Sequence, residues 1–78
     1  MTEVKMEITF GMEAVGYEFN PSGITEVSEI KLTFAKLIDK CNNIETSTYL
    51  GNTVKGMAIR ACMSAQMAVV KFIKLKNK

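Results

Sequence analysis

Three side chains in this sequence have the types and settings that binding chemistry needs: Tyr17, Lys31 and Arg60. Tyr17 follows Gly16 and precedes the Asn20-Pro21-Ser22-Gly23 break. An aromatic ring there can stack on a nucleobase, with the glycine leaving room for a planar ligand to approach. It can also be a core or staple aromatic beside a helix start. Lys31 is either a phosphate contact or a solvated cation balanced by helix neighbours three and four residues away. Arg60 interrupts an apolar stretch, and no acid follows Glu45, so its guanidinium has no anionic partner on its own helix.

Catalytic chemistry has far less to work with. The chain contains no histidine and two cysteines, Cys41 and Cys62, so neither a Ser-His nor a Cys-His nucleophile can be assembled. The same shortage leaves a structural zinc ion without a ligand set. The expectation is a protein that is not an enzyme and uses no metal or cofactor. Met1 to Lys5 is polar and charged rather than signal-like, which places the chain in a reducing cytoplasm with both thiols free.

The elements that must position these residues follow from hydrophobic period. Val4, Met6, Ile8 and Phe10 alternate with Lys5, Glu7 and Thr9, the pattern of a half-buried strand. Gly11 and Gly16 read as turns, with a second short segment near Ala14 to Phe19 as one pairing partner. Residues 1–19 form a strand and turn segment, and residues 20–78 a two-helix hairpin, within one domain. The first helix spans about Ile24 to Lys40, with Asn20, Ser22 or Thr25 as its cap and Val27, Ile30, Phe34, Leu37 and Cys41 as its apolar stripe. Asn42 and Asn43 are suited to end it in a left-handed conformation.

A second helix begins between Thr46 and Thr53 and reaches about Leu75. Its stripe is Leu50, Val54, Met57, Ala61, Ala65, Ala68, Phe72 and Leu75. Ten of the thirteen residues from Ala61 to Ile73 are apolar, however, and they encircle the helix. A helix apolar all round must be covered all round, which one partner helix cannot do. Ala61 to Val70 alone is too short to span a hydrocarbon core of about 30 Å. A chain of 78 residues without disulfides or metal therefore gains stability by self-association. The fold expected is mainly α: an antiparallel helical hairpin with an N-terminal strand, assembled into a homo-oligomer. The short connection puts Lys31 and Arg60 at about the same level, flanking the seam.

Formal net charge is only +2, but it is unevenly spread. Met1 to Glu45 holds eight acids and four bases; Thr46 to Lys78 holds six bases and no acid. Part of this suits helix dipoles, and the rest suits an anionic ligand near the second helix. So few bases on so apolar a helix argue against polymeric nucleic acid and against a DNA-binding helical dimer.

Gly16-Tyr17, Glu29-Ile30-Lys31, Arg60 and Ala65-Gln66-Met67-Ala68-Val69 together resemble the phage anti-CBASS cyclic-oligonucleotide sponges, which share their hairpin domain with sponges acting against Thoeris signalling. The resemblance covers residues 16–73. It implies a compact homohexamer of helical hairpins that captures cyclic oligonucleotide immune messengers intact, in the cytoplasm of the bacterial host. It further implies that Tyr17 stacks on a nucleobase and Lys31 contacts phosphate, with two subunits completing each cyclic dinucleotide pocket. Arg60 then lines a separate pocket for cyclic trinucleotides. The strand from Val4 to Phe10 has no counterpart in that hairpin. The reading from a different class is a small helical adaptor whose apolar surface docks on a host protein.

Overall fold

A computed structural model describes residues 7–77. The described residues form three helices and no strand: α1 (Phe10–Val15), α2 (Thr25–Asn43) and α3 (Tyr49–Lys76). The protein is mainly helical, as its periodicity requires.

The N-terminal strand is the principal correction. Val4 to Met6 lie outside the described residues, Glu7 to Thr9 have no regular structure, and Phe10 already belongs to α1. Thr9 decides this. Its hydroxyl accepts from the Met12 N–H (3.1 Å), and its carbonyl accepts from the Glu13 N–H (3.1 Å), which starts a helix. Among the described residues the alternating segment has no strand to pair with, and an unpaired strand is not stable alone. Gly11, read as a turn, lies inside α1 instead, because α1 meets α2 there backbone to backbone. A Cβ on Gly11 would stand 2.0 Å from the Ala35 carbonyl oxygen. The Asp39 carboxylate accepts from the Gly11 N–H (2.7 Å), satisfying a donor that a helix start leaves orphaned.

Gly16 does form a turn. It is left-handed (φ 61°, ψ 48°); its N–H donates to Glu13 O (3.1 Å), while the Tyr17 N–H reaches back to Met12 O (2.9 Å). This pair of hydrogen bonds is a common helix stop, in which the residue after the glycine packs on the last turn. Asn20 and Ser22 then brace the entry to α2 without occupying its cap. The Asn20 amide donates to Ile24 O (3.0 Å) and Ser28 Oγ (2.8 Å), and Ser22 Oγ accepts from the Ile24 N–H (3.2 Å).

The buried face of α2 is Val27, Lys31, Ala35 and Ile38. Ile30 and Phe34 are only partly buried and Leu37 is exposed, so the helix is turned away from its expected stripe. The reason is α1, which claims the Ala35 side of α2 and builds a core of Met12, Val15, Ala35 and Ile38. No asparagine takes a left-handed conformation after α2. Lys55 closes that end instead, donating to Asn42 O (2.7 Å) and Ile44 O (2.9 Å).

α3 starts at Thr48, whose hydroxyl accepts from the Gly51 N–H (2.9 Å). At its far end Lys76 pairs with Glu26 at the start of α2 (2.9 Å), and this partner holds the Glu26 carboxyl below the ordinary carboxylate range. The pair is exposed and contributes little to stability. α3 turns Ile59, Cys62, Met63, Gln66 and Ile73 inward. Leu50, Val54, Met57, Ala61, Ala65, Ala68, Phe72 and Leu75, the stripe expected to lead its packing, are all exposed.

The molecule is a slab of 45 × 42 × 13 Å with a radius of gyration of 14.6 Å. A compact domain of this length has a radius of roughly 11–12 Å. At 28 residues α3 is long and apolar enough by length and composition to cross a membrane, although its uncharged core is not, and only 11% of its most apolar window is buried.

Candidate functional site

The stop of α1 and the first turns of α2 position a single lysine. Lys31 is only 7% exposed, although sequence alone allows a solvated surface cation. Its ammonium donates to Gly16 O (3.1 Å) and to Phe19 O, and it stands 5.8 Å from the centre of the Phe19 ring. These two carbonyls belong to the loop that Gly16 turns, so Lys31 and the loop hold one another. An ammonium carries three donors, and the loop takes two. Burial pushes the Lys31 pKa below the ordinary lysine value of 10.5, and the positive charge of Lys74 acts in the same direction.

Lys74 faces Lys31 across a cleft of about 190 Å³ between α2, α3 and the loop. Val27, Met67 and Val70 line it together with Phe19, Asn20 and Pro21 of the loop and Gln66 of α3. Among the described residues no acidic side chain lines it. Two cations and an aromatic ring lining one cleft with apolar side chains suit an anion that carries an apolar or planar group. The two larger hollows lie at the opposite end of α2. One, of about 490 Å³, is lined by Glu45, Thr46, Ser47, Asn52 and Lys55. The other, of about 270 Å³, is lined chiefly by Cys41, Ile44, Val54 and Ala58. Their shared cation, Lys55, is already engaged by two carbonyls.

Tyr17 and Lys31 are brought together, since Lys31 is bonded to the carbonyl of the residue before Tyr17. Tyr17 is half-buried and packs against the α1–α2 core, as the residue after a helix stop does. Gly16 is explained by its left-handed conformation, independently of any ligand. Tyr17 does not line the Lys31 cleft, and Arg60 lies apart from both, exposed on α3. Lys74 and Gln66 escaped sequence reasoning. Their signal was present: Gln66, Val70 and Lys74 recur every four residues along one face, and Gln66 is a polar break in an apolar run.

The buried ammonium has a pH signature. Because its folded pKa lies below its unfolded value, the unfolded state binds more protons between those two values, and stability rises with pH there. Relative to Lys31→Met, the wild type should gain stability as pH climbs from the depressed folded value towards 10.5, read by urea denaturation. A difference that stays constant across this alkaline range would mean that Lys31 titrates as a solvent-exposed lysine.

No protein-family model matches this chain, and neither a curated protein nor a solved structure matches it.

Proposed function

We propose that this protein is a non-catalytic sponge that binds cyclic oligonucleotide messengers, chiefly cyclic dinucleotides, and so blocks CBASS-type antiphage signalling in the bacterial cytoplasm. The observation that carries the reading is that Lys31 and Lys74 line one cleft with Val27, Met67 and Val70, and that no acid lines it among the described residues. A cyclic dinucleotide presents two phosphates and two planar bases, and the cleft offers cations and an aromatic ring. Tyr17, one residue beyond the carbonyl that holds Lys31, stacks on a base. Arg60, exposed on α3 without an ion pair among the described residues, lines the separate pocket for cyclic trinucleotides.

The reading requires an assembly of hairpins, with a hexamer expected, because one protomer's groups are too few. A stacked base is worth about 1–3 kcal/mol and a charged hydrogen bond about 1.5–3 kcal/mol, against roughly 12 kcal/mol for nanomolar binding. Two protomers on a two-fold axis double these contributions. The uncovered face of α3 supports self-association. A bilayer is the other covering for such a helix, but it would place Arg60 well inside the apolar core, at roughly 2.5–3.5 kcal/mol for a charge at the helix centre.

Calorimetry against a panel of cyclic di- and trinucleotides tests the proposal. Tyr17→Leu keeps an apolar side chain on the α1 stop and removes the ring. It should weaken cyclic dinucleotide binding about a hundredfold if two stacks are lost per ligand. After hours of incubation and heat release, the ligand should be recovered intact; linear product under protein-limited conditions would refute a sponge. The open α3 face also favours a second reading, a helical adaptor docking on a host protein. Absence of nucleotide binding together with capture of one host protein would select it.

A further inference from the structure

Gln66 is 4% exposed, and its side chain lines the cleft. An amide at the wall of an opening can hydrogen-bond to whatever enters it. No fully sealed side-chain nitrogen or oxygen among the described residues lacks a partner, and the cleft is the opening that Gln66 lines. Gln66 and Lys74 lie two helical turns apart on one face of α3, with Val70 between them, and Lys31 meets that face from α2.

We propose that Lys74 and Lys31 grip one phosphate between them and that Gln66 hydrogen-bonds to the edge of the ring attached to it, making Lys74 a binding residue and Gln66 a specificity-determining one. This rests on the function proposed above and adds to it the residues that choose the ligand. A phosphate is the charge for two ammonium groups with no acid between them. An amide, with two donor hydrogens and a carbonyl acceptor, matches the paired donor and acceptor edge of a nucleobase. The cleft, about 190 Å³, is smaller than the roughly 300–1,000 Å³ of sites that enclose a drug-sized ligand. It therefore takes one phosphate and part of its base, and the rest of a cyclic dinucleotide extends beyond it.

The test compares the wild type, Lys74→Met and Gln66→Leu, each titrated with cyclic di-AMP, cyclic di-GMP and inorganic pyrophosphate, followed by NMR and calorimetry. Lys74 is exposed, and leucine matches glutamine in size, so both variants should keep the fold. Lys74→Met should weaken all binding probes at least about tenfold. Gln66→Leu should weaken the preferred cyclic dinucleotide about tenfold, change the preference between the two bases, and leave pyrophosphate unaffected. If the wild type binds a cyclic dinucleotide and either variant binds it equally tightly, the inference is overturned while the sponge reading stands. If the wild type binds pyrophosphate through Lys74 but no cyclic nucleotide, the sponge reading fails and the lysine clamp survives. Binding of no probe at all overturns both.

Discussion

Gly11→Ala should unseat α1 and disturb the proposed ligand site with it. The new Cβ would lie 2.0 Å from the Ala35 carbonyl oxygen, and that oxygen is helix backbone, unable to rotate away. The helices must separate, exposing Met12 and Val15 and stretching the 2.7 Å bond from the Gly11 N–H to Asp39. Overpacking of this kind costs about 1–3 kcal/mol, and each kcal/mol lowers the melting temperature of a domain this size by roughly 4–8 °C. A fall on the order of 10 °C in circular-dichroism melts is expected. Because α1 leads directly into Gly16 and the loop that holds Lys31, the proposed cyclic-dinucleotide binding should weaken as well. A variant melting within about 2 °C of wild type would mean that α1 does not pack on α2 through Gly11.

The second large effect concerns the open face of α3. Ala65 is exposed in the protomer, and a glutamate at an exposed helical site usually changes stability by less than about 0.5 kcal/mol. In a seam between α3 helices the same carboxylate would be buried unpaired, at several kcal/mol per copy. Ala65→Glu should therefore leave helix content intact while collapsing the proposed assembly, measured by light scattering at low micromolar concentration. If variant and wild type have the same mass, self-association does not use this face. If the wild type is monomeric and sediments with lipid vesicles while the variant does not, the face meets a bilayer instead.

Much of the helical part of the fold was legible from the residues. The Asn20-Gly23 break and the three- and four-residue apolar steps after it placed α2 within a few positions of Thr25–Asn43, and Thr46 to Thr53 bracketed the start of α3. These signals are local: a proline, a cap, a period. The lack of a covering for α3 was also legible, because encircling apolarity does not depend on where neighbours sit.

What the sequence could not settle was the direction in which each helix faces. α2 and α3 each carry more than one usable apolar side, and only docking selects among them. A six-residue α1, seated through a glycine with no side chain to obstruct it, rotated α2 toward Ala35 and left Leu37 exposed. The same docking placed Lys31 beneath its own loop and brought Lys74 and Gln66 opposite it, although Gln66 and Lys74 lie thirty-five and forty-three positions later in the chain. At the N-terminus, alternation that suits a strand yielded after Thr9 to a helix, because an extended segment needs hydrogen-bond partners from another strand, whereas a capped turn supplies its own.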